Sequence, residues 1–493
     1  MPNNDLDTRH LETLDRDLGR ISNLEMATAY VGRPLVGPGL AFVFILLTCL
    51  AAALLFGQSS NTFIVIIAAG FGAYMALNIG ANDVANNMGP AVGANALTMG
   101  GAIAIAAVFE SAGALLAGGD VVSTIAKGII APESMQTSTT FIWAMMAALL
   151  SAALWVNLAT WIGAPVSTTH SVVGGVMGAG IAAAGFAAVN WPTMAKIAAS
   201  WVISPVLGGV IAAAFLWFIK SRIIYQADKI AAARRWVPVL VGIMGGAFAT
   251  YLALKGLKKV IKIDIISALG IGGAAALVIW LVMIPVIRRQ SEGLENRNKS
   301  LKVLFGIPLV VSAALLSFAH GANDVANAVG PLAAIVQASK SGDFTAAVSI
   351  PLWVMVIGAL GISFGLFLFG PKLIRMVGSQ ITKLNPMRAY CVALSAAITV
   401  IVASWLGLPV SSTHIAIGSI FGVGFFREWD ASRRMKKAKI EVPADLAQNG
   451  DERSRRKLVR RSHFLTIIAA WVITVPAAGI LSAGLFWLIT TIA

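Results

Sequence analysis

Charge is scarce in this chain. Asp, Glu, Lys and Arg make up 12% of its 493 residues, against about 25% in an ordinary soluble domain, which excludes a conventional soluble protein. The shortage is also uneven. No charged side chain falls in residues 34–82, 134–195, 344–371, 389–426 or 464–493, and a bilayer crossing needs about 20 apolar residues. With 58% hydrophobic residues and a mean hydropathy of +0.82, the chain reads as an all-α polytopic membrane protein. Cysteine is nearly absent. Cys49 and Cys391 lie in apolar runs and read as buried thiols that carry no redox information. Also missing are a Walker loop, an HExxH helix, a Cys/His cluster and a nucleophile elbow. Those absences argue against an ATP-driven pump or an intramembrane hydrolase, so neither an enzyme nor a bound cofactor is expected.

What the chain has is repetition, which decides architecture before anything else. Gly-Ala-Asn-Asp-Val-Ala-Asn occurs at Gly80 to Asn86 and again at Gly321 to Asn327, each followed by Gly-Pro at the same distance, Gly89-Pro90 and Gly330-Pro331. A second pair runs Trp161-Ile-Gly-Ala-Pro-Val-Ser-Thr-Thr-His170 and Trp405-Leu-Gly-Leu-Pro-Val-Ser-Ser-Thr-His414. A weaker echo, Trp201 with Pro205 and Trp471 with Pro476, reads as scaffold. The order gives an N-terminal arm (1–38), an extra first helix (39–57), a first repeat (62–218), a linker with two spans (219–302) and a second repeat (303–491). A charged segment at 427–461 interrupts the second repeat and reads as loosely folded.

The net charge of +15 reads as a positive-inside bias rather than as a nucleic-acid surface. Placing the arm and the basic loops 220–235, 288–302 and 427–461 in the cytoplasm makes the first repeat start outside and the second start inside. The repeats are therefore expected to be inverted, with broken or re-entrant helices and about 12 spans in all. Lys255, Lys258, Lys259 and Lys262 are then one violation, facing outward.

The chemistry sits in the repeats. A carboxylate in the membrane is expensive, yet Asp83 and Asp324 lie in apolar stretches beside Asn82, Asn86, Asn323 and Asn327. Such residues suit a helix that breaks mid-membrane and offers hard oxygen ligands, as a Na⁺ ion or a proton-coupled site would use. The structural alternative is a capped helix break. In the second motif, Gly and Pro end one helix and the hydroxyl run Ser167, Thr168, Thr169, or Ser411, Ser412, Thr413, starts the next. Helix N-termini with added hydroxyls bind an oxyanion without Lys or Arg, though N-capping explains hydroxyls there equally. His170 and His414 close the motifs as candidates for a proton role. Glu110 is an unpaired membrane acid, with Lys127 its nearest downstream cation. Motif offsets put its counterpart near 351–354. The glycines of 174–180 and 418–424 suit close helix packing.

These blocks, together with Phe109 to Gly113 and Thr124 to Ile129, resemble the inorganic phosphate transporter (PiT) family across both repeats, and in particular its Na⁺-coupled members. The resemblance implies a Na⁺- or H⁺-coupled symporter of inorganic phosphate. By motif position it puts Asp83, Asp324, Asn82 and Asn323 on the coupling ion. It puts Asn86 and Asn327 with the six hydroxyl residues on phosphate, and gives Glu110 a transport role. Residues 1–57 have no matching motif. Sulfate transport on the same fold, or a phosphate channel or sensor, are the competing readings. The expected partners are phosphate and the lipid of the cell's inner membrane, with a homodimer left open, the N-terminus cytoplasmic and the C-terminus outside.

Overall fold

The structure is a computed structural model that describes residues 35–57, 61–162, 166–256, 263–341, 350–380, 384–437 and 461–492. Their regular structure is helical, apart from one isolated bridge between Ile130 and Val189. Helix is what a lipid solvent demands, since each backbone group must be satisfied within its own segment. In chain order the helices are α1 (Leu35–Phe56), α2 (Thr62–Asn82), α3 (Val84–Gly93), α4 (Met99–Ala117), α5 (Gly119–Ser123), α6 (Ser138–Ile162), α7 (Thr168–Ala184) and α8 (Trp191–Ile219). There follow α9 (Lys229–Lys255), α10 (Ile265–Gln290), α11 (Asn298–Leu304), α12 (Gly306–Ser341), α13 (Leu352–Gln380), α14 (Pro386–Trp405), α15 (Ser412–Lys437) and α16 (Arg461–Ile492). Eleven spans among the described residues are long and apolar enough to cross a bilayer. Polar side chains mark several starts: Thr98, Asn190, Asp228 and Asn385 each accept a backbone N–H three residues on.

Two inverted halves interlock, and glycine shows where. A Cβ on Gly80 would overlap the carbonyl oxygen of Ile362, and one on Gly321 that of Glu110. Gly113 and Gly365 meet the carbonyls of Phe318 and Leu77 in the same way. So α2 crosses α13 as α12 crosses α4, backbone on backbone. The second pair of crossings repeats the device. Gly174 and Gly178 on α7 face Val475 and Gly479 on α16, while Gly418 and Gly422 on α15 face Pro205 and Gly209 on α8. At the centre, the equivalent hydroxyls Ser111 Oγ and Ser363 Oγ lie 2.8 Å apart.

Outside this core, α9 and α10 form a hairpin in which Gly242 and Gly246 pack on Trp280, Ala276 and Gly272. Lys255, one of the four outward lysines of the expected topology, pairs with Asp120 after α4. The extra helix α1 rides on the core through Phe44, 5.3 Å from Phe364, and Cys49, whose Sγ donates to Ile66 O at 3.5 Å.

Three expectations need correction. The second heptad does not break its helix: α12 runs unbroken through Asp324. The first breaks only at Asp83, which keeps its bond to Ile79 O (2.9 Å) while Asn86 N tightens onto Asp83 O (3.0 Å). Tip hydroxyls meet Asp324 Oδ2 and Asn327 Nδ2 while α12 keeps its own backbone bonds, so these polar side chains sit in an intact helix. The counterpart of Glu110 is Ile362, not a residue near 351–354, because the second half carries a longer connection before α13. The charged segment starts as ordered helix, since α15 continues to Lys437; 438–460 lie outside the described residues.

Candidate functional site

Each half contributes a helical hairpin, α6–α7 and α14–α15, whose second helix starts with buried hydroxyl residues. The second turn is made by Gly407, whose φ of +67° favours glycine; the first, at 163–165, lies outside the described residues. The hairpin tips meet over α2–α3 and α12. Thr169 Oγ1 donates to Val410 O (3.0 Å), and Trp201 Nε1 to Pro409 O (3.0 Å). His170 stacks on Trp201 at 3.8 Å and meets His414 edge-on at 4.5 Å. The histidines thus pair with each other between the tips; they are not brought onto the carboxylates. The third echo is scaffold at Trp201, as expected, and Trp471's side chain lies outside the described residues.

The two acids lie beneath the tips. Asp83 accepts from Thr168 Oγ1 (2.7 Å) and from Thr413 Oγ1 of the other half (3.1 Å), and Asp324 accepts from Ser412 Oγ (3.2 Å). Asn86 Nδ2 reaches Thr413 Oγ1 (2.9 Å), and Asn327 Nδ2 reaches Thr169 Oγ1 (3.1 Å). These Asn–Thr bonds are images of one another. Both acids are 1% exposed. The heptad pair and the hydroxyl pair therefore converge on one place.

Four of the residues singled out from sequence bond to the frame around the acids. Ser167 Oγ and Ser411 Oγ cap α7 and α15, accepting from His170 N (3.1 Å) and His414 N (3.3 Å). Asn82 donates to Thr160 Oγ1 (2.7 Å), and Asn323 to Ser404 Oγ (3.0 Å) and Leu408 O, so both tie the helices to the hairpins.

His320, immediately before the second heptad, was not among the sequence candidates. Its Nδ1 lies 3.1 Å from Glu110 Oε1 and its Nε2 3.0 Å from Asp324 Oδ2, with Asp83 Oδ2 at 4.0 Å. Asn87 Nδ2 also donates to Glu110 Oε1 (3.0 Å). Glu110 is thus held by an imidazole and an amide, not by Lys127. The symmetry is broken here: Glu110, His320 and Asn87 correspond to Ile362, Ile79 and Ala328. The polar residue directly before a repeated motif, where the other copy has Ile79, is the signal that would have found it.

The charge balance is uneven. Three buried carboxylates face one imidazole, and His320 is their ion-pair partner among the described residues. Beside His320 Nε2, which meets Asp324 without hydrogen-bond geometry, Asp324 Oδ1, Glu110 Oε2, Asn87 Oδ1 and Asn327 Oδ1 are buried without a hydrogen-bond donor. All four are oxygens that accept, and a buried acceptor left unpaired is costly. A hard cation satisfies such a set. Thr168, Thr169, Ser412 and Thr413 stand at the N-termini of α7 and α15, an environment suited to an oxyanion, and here their hydroxyls donate to Asp83, Asp324 and Val410 O.

Inverted helical halves around a buried polar centre define a multi-pass membrane transporter fold. The chain belongs to the phosphate transporter family, whose sequence pattern matches residues 79–482. A Helicobacter pylori (strain J99) protein provisionally named a phosphate permease is 46% identical over 523 aligned residues, spanning 95% of this chain and 98% of that protein. An Arabidopsis thaliana protein, "Inorganic phosphate transporter 2-1, chloroplastic", is 37% identical, spanning 86% of this chain and 71% of the relative. A solved structure described as a sodium-dependent phosphate transporter superposes with a TM-score of 0.78 at 34% identity, over 87% of this chain and all of that one.

Proposed function

We propose that this protein imports inorganic phosphate by secondary active symport, coupled to Na⁺, with the two inverted halves giving alternating access to one buried site. The observation that carries the reading is the set of unpaired buried acceptor oxygens among three carboxylates and one imidazole. The ligand atoms of Asp83, His320 and Asp324 lie within 4.8 Å of one another. Two like charges at that distance repel by roughly 3–4 kcal/mol at an effective dielectric of about 20. An added phosphate dianion would worsen this unless cations enter with it. Coupling is then an electrostatic requirement rather than an added device.

In this reading Asp83 and Asp324 hold the coupling ion with the free oxygens of Asn327 and Asn87. Thr168, Thr169, Ser412 and Thr413 hold phosphate, and Asn86 positions Thr413. Asn82, Asn323, Ser167 and Ser411 position the hairpins. The name of the 34%-identical structural relative supports Na⁺. The Glu110–His320–Asp324 chain supports the proton as the second reading. The protein sits in the cell's inner membrane with its arm cytoplasmic and its C-terminus outside. The division into residues 62–218 and 303–491 around a 219–302 linker belongs to the same proposal.

The test is radiolabelled phosphate uptake into proteoliposomes with Na⁺ and proton gradients imposed separately and sulfate as competitor. Accumulation against the phosphate gradient, driven by Na⁺ and indifferent to sulfate, is expected. Proton-driven accumulation would move the ion, sulfate uptake would move the substrate, and equilibration without accumulation would make the protein a channel.

A further inference from the structure

The halves match at the hairpin tips but differ along one flank. On α2, Tyr74, Asn78 and Asn82 recur every fourth residue and so share a face; the neighbouring α6 carries Asn157 and Thr160. Asn78 Nδ2 donates to Tyr74 O (2.9 Å), Asn157 Nδ2 to Asn78 Oδ1 (3.2 Å), and Asn82 Nδ2 to Thr160 Oγ1 (2.7 Å). The equivalent positions in the second half are Leu315, Ala319, Asn323, Ile401 and Ser404, so the amide ladder there shrinks to the motif residue alone.

Exposure follows the same division. Asn323 and Ser404 are 1% and 0% exposed. Asn82, Thr160 and Asn86 are partly exposed and Asn157 is exposed outright, while Asn78, bonded to Asn157, is buried, at 5% exposure. Asn157 shares its stretch of α6 with the exposed apolar residues Leu154, Leu158 and Trp161. An amide facing hydrocarbon there would be unfavourable, because nothing in lipid replaces the water it loses. Amide oxygens one helical turn apart, leading to a carboxylate, are instead what a hard cation needs to shed its hydration stepwise.

We propose that Asn157, Asn82 and Thr160, with the buried Asn78 holding Asn157 from behind, line a water-filled path, present in one half only, along which the coupling cation reaches Asp83. The path runs toward the end of α2 that begins at Thr62. That a cation travels it rests on the proposed symport; that water fills it does not.

The experiment is cysteine labelling of the full chain in proteoliposomes. A Cys49→Ser background keeps only Cys391, which is buried. Asn157→Cys should react with a charged, membrane-impermeant methanethiosulfonate, and Na⁺ should slow the reaction; Leu158→Cys should stay unlabelled. Separately, Asn157→Ile should raise the Na⁺ concentration for half-maximal uptake several-fold. It should leave phosphate half-saturation at high Na⁺ unchanged, a split that a merely structural defect would not produce. Labelling of Asn157→Cys only by an uncharged maleimide would put lipid there, and cross-linking between two chains would put a second copy there. Either result overturns the proposal. Failure of phosphate uptake with labelling intact would count against the symport reading alone.

Discussion

At the residue scale, side chains that look alike in sequence do different work. Asp83 and Asp324 each receive a hydroxyl from a hairpin tip, and neither has a Lys or Arg partner among the described residues. Asp83→Asn and Asp324→Asn keep the shape and remove the charge. Each should abolish Na⁺-driven uptake while membrane levels stay near wild type, read by quantitative blotting beside uptake. Normal uptake by either variant would remove the assignment. Ser411 and Ser412 are neighbours with opposite roles. Ser411→Ala removes an N-cap and should cost about 1 kcal/mol of stability, seen as a lower melting temperature with phosphate affinity kept. Ser412→Ala should weaken phosphate binding with little change in melting. The repeated strings exposed both acids and the hydroxyl run, but they could not separate Ser411 from Ser412. That separation depends on where the first helical turn closes, which is a matter of backbone geometry. Glu110 was legible as an expensive acid, whereas its partner His320 sits far away in sequence and meets it only once α4 and α12 cross.

At the element scale, the crossings set the core. A methyl on Gly80 or Gly321 would collide with a backbone carbonyl that cannot step aside. Gly80→Ala and Gly321→Ala should therefore each lower stability by at least about 1–3 kcal/mol, measured by thermal unfolding in detergent. Gly100→Ala and Gly273→Ala point into open space and should not. The far end of α15 is pinned differently. Asp430 accepts from Lys220 Nζ (2.6 Å) and Tyr225 OH (2.5 Å), with Arg434 Nε at 3.5 Å. Burial pushes the Asp430 carboxyl up, but the hydrogen bonds from Lys220 and Tyr225 and the charges of Lys220 and Arg434 outweigh it and hold it below its usual 3.8. Burial and Asp430 push the Tyr225 hydroxyl up to about 12. A carboxyl lowered by folding contributes stability above its unfolded value and loses it as pH falls through the folded one. The melting difference between wild type and Asp430→Asn should thus be flat from about pH 5 to 9 and shrink below about pH 4. The helical start of the charged segment was hidden in sequence because its charges suggested a loop, whereas in the structure they clasp α8.

At the scale of the whole molecule, the inverted halves were readable because two motifs recur in order and loop charge fixes a sense of direction. The unbroken α12 was not readable. Asn and Asp in a membrane helix suggest a break, but here the backbone of α12 stays helical while hairpin-tip hydroxyls meet Asp324 Oδ2 and Asn327 Nδ2. The asymmetry between the halves matters most for mechanism. In the proposed symport, the symmetric tips would face the anion, and the acceptor oxygens left by the one-sided cluster of Glu110, His320 and Asn87 would face the cation. Binding of the two ligands must then be reciprocal, each raising the other's affinity by the same factor. The most direct test is isothermal titration of phosphate into purified protein, in Na⁺ and with Na⁺ replaced by choline, on wild type and Asp324→Asn. Phosphate binding is expected in Na⁺, little or none in choline, with loss of that contrast in Asp324→Asn. Equal phosphate affinity in Na⁺ and in choline would contradict this.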